Sequence, residues 1–408
     1  MWKVKRMSAY PLRATAAGQP AGFLDASIAP TPRISLQAFC ETAQTAAAVQ
    51  AAAQDRRMTR AQVRVQMGGI AAAIEAFRDS PTPTVILLET EKRGEHLLRE
   101  LDELAEVCDV ATEVLIVGHV DDAELYRQVV RRGVNNYLLA PIEPRDVLRA
   151  LSLLFRARGA APLGRIVAVV GAKGGVGAST VAHNIAWATA RDLAIDTVIT
   201  DLDLPFGTAS LDYNQDPPQD LTDAVSAPHR VDPGSIDRFF AKCADRLSLL
   251  AAPGAIDRVY DFAAESFDSV IDALRAKARC VVLDVPHIWT AWARRILVDA
   301  DDILIVAAPE LASLRNAKIL TETLQAARPN DRRPSYCLNQ VGVPERPEIM
   351  PADFACAIGG EPLAVISFEP QLFGAAAYNG QMIAEIAGGD RAADTFSRLA
   401  RTFAGCAE

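Results

Sequence analysis

The stretch GAKGGVGAST at 171–180 concentrates the residues best suited to chemistry. It follows an apolar, β-branched run at 166–170 and leads into an Ala-rich helical run from Val181. Strand, glycine-rich turn and helix in that order are the setting of a phosphate-binding loop. Glycine leaves backbone N–H groups free to curl around phosphate oxygens, and a helix N-terminus adds favourable dipole charge. The candidate nucleotide-binding residues are therefore Gly174, Gly175, Val176, Gly177, Ala178, Ser179 and Thr180. An ordinary loop of this kind reads GxxxxGK[ST], but here Ala178 precedes the hydroxyl pair and the one lysine, Lys173, sits near the loop's start.

Carboxylates stand where such a loop needs them. The segment DTVITDLDLPFG at 196–207 reads as a strand ending in Asp201 and Asp203. The segment ARCVVLDVPHIW at 278–289 reads as an apolar strand ending in Asp284 before a proline. Acids at the carboxyl ends of parallel strands suit Mg²⁺ and the positioning of water, and an apolar strand closing on Asp is the Walker B pattern. Ordinary solvated acids at a strand end are the competing reading for Asp201 and Asp203. Asn339 follows a further strand, 335–342, where its amide offers a donor and an acceptor to a base edge or caps a turn. His287 has no partner in the sequence and reads as a polar or packing residue.

The loop resembles the deviant Walker A motif of the ParA/MinD family, KGGxGK[ST], with its second lysine lost. The resemblance implies that Lys173 reaches across a homodimer to the partner's nucleotide. It further implies Ser179 as a Mg²⁺ ligand beside Asp201 and Asp284, Thr180 as a phosphate contact, Asp203 orienting the attacking water, and Asn339 reading adenine. Lys173 and Asp203 are thus the expected catalytic residues, with ATP and Mg²⁺ as cofactors. Ala178 offers a methyl group where a lysine would stabilise charge, so hydrolysis is expected to be slow.

The elements that position these groups belong to an α/β chain of two doubly wound parallel sheets. Its 408 residues suffice for more than one core. A net charge of −9 argues against general DNA coating, which draws affinity from basic surface. Seven cysteines without a CxxC pair suit free thiols in a reducing cytoplasm. Apolar runs are too short to span a membrane, the start lacks a signal core, and the closing helix is poor in lysine, so no direct membrane insertion is expected. Residues 1–31, rich in Pro, Ala and Gly, read as a flexible tail, and 157–163 as a linker.

Between them, at 32–156, five strand-like runs alternate with five helical ones, which predicts a parallel sheet. The size and the Ala140-Pro141 pair resemble a response-regulator receiver. The phosphate-accepting Asp is Glu89, the acidic pair after the first strand shrinks to Glu41, the usual hydroxyl residue is Gly118 and the usual lysine is Ala140. These substitutions predict a pseudo-receiver that docks protein partners. Residues 164–408 are the expected ATPase domain.

A pseudo-receiver joined to a ParA/MinD-like domain resembles the CpaE/TadZ proteins of type IVb (Flp, tight-adherence) pilus assembly. GAKGGVGAST, DLDLPFGTASLDYNQDPPQ and LDVPHIWTAW are similar to that family's versions of the ATPase motifs. The resemblance implies a cytoplasmic protein, dimeric in a nucleotide-dependent way, that binds pilus and secretion-machinery components. It implies recruitment to the inner face of the cytoplasmic membrane, often at a pole, and no nucleic-acid partner. A partition or division ATPase acting on DNA or membrane would call for a second loop lysine and a basic surface or lipid helix. A phosphorylation-controlled regulator with ATPase output would call for Asp at 89 and Lys at 140.

Overall fold

A computed structural model describes residue 28 and residues 30–157, 163–227 and 231–404. The chain divides into two compact units, Met1–Ala161 and Pro162–Glu408. Most of the expected tail and linker lies outside the described residues. Ordered packing nevertheless begins before residue 32: Ile28 and Thr31 are buried, and Thr31 Oγ1 donates to the Arg57 carbonyl at 2.7 Å. One isoleucine and one threonine in an Ala/Pro-rich stretch leave no periodic signal in the sequence.

In the first unit β1 (Ile34–Cys40), α1 (Ala43–Ala53), β2 (Ala61–Met67), α2 (Gly69–Phe77), β3 (Val85–Thr90) and α3 (Gly94–Val107) alternate. They are followed by β4 (Glu113–Gly118), α4 (Ala123–Arg131), β5 (Asn136–Leu139) and α5 (Pro144–Ala157). The strands form one parallel sheet in the order β2-β1-β3-β4-β5. Every residue of the central β3 is buried, as expected for a strand covered on both faces. One apolar layer packs Val49, Leu148 and Leu151 against the sheet, and the opposite layer packs Ile70, Phe77, Leu97 and Val129. Leu97, Leu101 and Leu104 fall on one stripe of α3, which is why its charged remainder faces water.

The second unit runs β6 (Arg165–Gly171), α6 (Ala178–Arg191), β7 (Thr197–Asp201), α7 (Ala209–Asp212), α8 (Leu221–Ser226), β8 (Ala241–Ala244) and β9 (Leu247–Leu250). It continues through α9 (Asp268–Lys277), β10 (Cys280–Val285), α10 (Ala291–Asp299), β11 (Asp302–Ala307), α11 (Leu311–Ala327) and β12 (Ser335–Val341). It closes with α12 (Pro351–Ile358), β13 (Ala364–Ser367), α13 (Pro370–Asn379), α14 (Ile383–Ile386) and α15 (Arg391–Ala404). The sheet order is β13-β12-β11-β6-β10-β7-β9-β8, parallel except for β8, which pairs antiparallel with β9 at the edge. β8 is absent from the sequence reading because AKCA is short and only half-buried. The two α/β sheets agree with the expected fold class. β6 and its flanking strands sit centrally, so the loop after β6 opens where ligands of such sheets bind, beyond the carboxyl ends of the strands.

Candidate nucleotide site

β6 ends at Gly171 and α6 begins at Ala178, three residues earlier than the periodic run suggested. Gly175 and Gly177 both take positive φ, 79° and 81°. At Gly177 a Cβ would lie 2.5 Å from the Asn339 amide nitrogen, so glycine is required there. Gly177 occupies the N-cap of α6 with no capping side chain, and the helix N-terminus is left to an external acceptor. Ser179 and Thr180 stand in that first turn, half-buried.

The loop's carbonyls are tied back by side chains from three other segments. His287 Nδ1 donates to Gly171 O at 2.8 Å and Asn316 Nδ2 to Ala172 O at 2.9 Å. Gln340 Nε2 donates to Gly175 O at 3.0 Å and Asn339 Nδ2 to Val176 O at 2.8 Å. Ala172 N is spent on Val306 O at 2.8 Å, and with four carbonyl oxygens fixed by donors the N–H groups that follow it remain for an anion. Asn339 lies inside β12 rather than after it, buried, with its amide nitrogen committed to the loop. Asn316 and Gln340 were not legible in advance, since neither stands in a motif.

Asp201 and Asp284 are register partners on the adjacent strands β7 and β10, and both are buried. Asp201 accepts Asp203 N at 3.0 Å and Ala209 N at 3.1 Å, one bond on each oxygen, which leaves a lone pair on each. Burial, and then the neighbouring Asp284 charge, raise Asp201 well above the usual carboxylate range. Burial also raises Asp203, whose Oδ1 accepts Phe206 N at 3.2 Å.

Beneath them His183 of α6 is 1% exposed, with Nδ1 2.8 Å from Asp212 Oδ2 and Nε2 3.5 Å from Asp284 Oδ2. Burial alone would lower this imidazole, but the two carboxylates outweigh it and raise its pKa. The helical run gave no sign of this residue's place, because its partners come from α7 and β10. Lys173 pairs with Glu310, the residue before α11.

Among the described residues no group of three or more His, Cys, Asp or Glu is arranged to hold a metal by itself. The site fits a metal that arrives with phosphate oxygens: an uncapped helix end, tied-back carbonyls and a buried Asp pair supply complementary halves.

Loop, strand order and acid pair define a phosphate-loop fold of the ParA/MinD class. A MinD of Pyrococcus horikoshii, solved with Mg-ADP, superposes over 59% of this chain and 96% of its own, with a TM-score of 0.50 and 21% identity. The septum site-determining protein MinD of Synechocystis is 30% identical over 165 residues, 40% of this chain; the chain spans 60% of that curated relative's length. No family model matches the chain. The pilus assembly protein CpaE of Caulobacter crescentus is 44% identical over 98% of its crystallised chain and 31% of this one, with a TM-score of 0.30. Over that third of the chain the likeness is one of sequence to a pilus assembly protein. No helix among the described residues is long and apolar enough to cross a membrane.

Proposed function

We propose that the chain binds ATP with Mg²⁺, dimerises when it does so, and serves as a positional component of a pilus secretion machine. The observation that carries the nucleotide reading is the loop itself, with four carbonyls held by His287, Asn316, Gln340 and Asn339 and its N–H groups left for phosphate. Ser179, Asp201 and Asp284 would hold the metal, which would neutralise phosphate charge. Asp203 would orient water, Thr180 would contact phosphate, and Lys173 would act on the partner's nucleotide once released from Glu310. With Ala178 in place of the usual lysine, binding outlasts turnover, which suits a marker of position better than a cycling motor.

The first unit supports the docking half of this reading. Glu89 and Thr90, the two groups nearest a phosphate-accepting position, are both buried and hydrogen-bonded within the chain. The surface of this unit would engage pilus components at the inner membrane face, at a pole.

Isothermal titration of ATP with and without Mg²⁺, on the wild type and Asp284→Ala, tests the site. Mg²⁺-enhanced binding that Asp284→Ala abolishes is expected; equal affinity in all four arms would remove Asp284 from it. Light scattering with ATP tests dimerisation, and a fluorescent fusion in cells with and without the pilus genes tests position.

A further inference from the structure

Glu89 is fully buried in the first unit, yet its carboxylate receives five hydrogen bonds. Oε2 accepts Glu41 N at 2.7 Å and Thr42 N at 2.8 Å. Oε1 accepts Thr42 Oγ1 and Thr45 Oγ1, each at 2.7 Å, and His119 Nε2 lies 3.0 Å from it. The donors come from the β1–α1 connection, the first turn of α1 and the residue after β4, whereas Glu89 itself is the last residue but one of β3. Its extra methylene relative to Asp carries the charge past the strand end into the donors of both neighbouring loops. Burial would raise its pKa, but the Thr42 N–H, the Thr45 and Thr42 hydroxyls and the Glu41 N–H hold it below the usual range. Glu41, the remaining acid of the pocket, turns aside and accepts Glu91 N at 2.9 Å.

A second observation links this pocket to β5. Tyr137 donates its hydroxyl to Val120 O at 3.0 Å, next to His119. Its ring fills the space over Gly118: a Cβ there would lie 1.9 Å from the Tyr137 hydroxyl oxygen. Any side chain at 118 would expel the ring. Glu89, His119, Val120 and Tyr137 thus form an unbroken chain of bonds and neighbours from β3 to β5.

We infer that Glu89 is a built-in, permanent anion occupying the place of a transferable phosphoryl group, and that through His119 and Val120 it holds Tyr137 inward and the α4–β5 face in a single conformation. The first unit then presents its docking face constitutively, without a phosphoryl donor. The coupling is a property of this unit and does not depend on nucleotide binding by the second.

Peptide-resolved hydrogen exchange on the full chain tests it with two variants. Glu89→Gln keeps the size but turns an acceptor into a donor against donors. The amides at 41–45 should then exchange about tenfold faster or more, and those at 119–126 and 136–140 should follow. His119→Ala leaves the β1–α1 donors on Glu89, so 41–45 should stay protected while 119–126 and 136–140 loosen. Beryllofluoride with Mg²⁺ should leave the wild-type pattern unchanged. Loosening confined to 41–45 in Glu89→Gln, or no effect of His119→Ala beyond residue 119, would overturn the relay. A wild-type response to beryllofluoride would overturn the permanent anion. If Glu89→Gln does not fold, the His119→Ala and beryllofluoride arms still decide the matter.

Discussion

Lys173 is paired with Glu310 of its own chain, so the lysine expected to reach a partner's nucleotide is held back in the single subunit. Both side chains are partly exposed, at 44% and 28%, so the pair contributes at most about 1 kcal/mol after solvent screening. Glu310→Gln should therefore tighten ATP-dependent dimerisation by up to about fivefold, and Lys173→Ala should abolish it. Sedimentation at graded concentrations with ATP measures both. A wild type of one mass in every nucleotide state would refute the exchange of partners.

Ala178→Lys should raise ATP turnover at least several-fold while nucleotide affinity changes less. A well-placed donor on the phosphoryl oxygens lowers the barrier by about 3–4 kcal/mol, up to about 10³ in rate. Phosphate release at saturating ATP, with Asp203→Ala as the background, reads this out. Brisk wild-type hydrolysis that Ala178→Lys leaves unchanged would mean another cation already supplies the charge.

Asn339→Ala removes a buried donor and leaves the Val176 carbonyl unsatisfied. A loss of about 1–3 kcal/mol in stability is expected, with ATP affinity falling further because the loop is no longer preorganised. Gln340, more exposed, should matter less. Denaturant melts beside nucleotide titrations separate the two effects, and wild-type affinity in a destabilised Asn339→Ala would exclude a role in shaping the loop.

Glu89 gives the first unit an acid-sensitive component. Its folded pKa lies below its ordinary value of 4.5, so the unfolded chain binds a proton first as pH falls. Its contribution is fully present above that ordinary value and is lost as pH drops through the lower folded one. The titratable groups around it are His119, Glu41 and the Cys40 thiol, which burial and Glu89 push up to about 11. Glu89→Gln should be less stable than wild type at pH 7, and the gap should close below about pH 4. Exchange of the β1 amides against pH measures it; a gap independent of pH would show that shape alone is at work.

Local features were legible in the sequence because they depend on neighbours in the chain. The glycine loop with its strand and helix, Asp201 and Asp284 at strand ends, and the alternation of the first unit all follow from spacing and periodicity. The loss of Asp at 89 was equally visible. Tertiary structure alone decided what these residues meet. Asp201 and Asp284, 83 positions apart, become neighbours because β7 and β10 pair in one register. His183 reaches two carboxylates from α7 and β10, Asn316 and Gln340 reach loop carbonyls from remote elements, and Lys173 finds Glu310. The Glu89 cradle assembles from three strand ends. Spacing within one strand or helix fixes which way a side chain points, but only the packing of sheets and loops fixes which buried charge and which donor share a site.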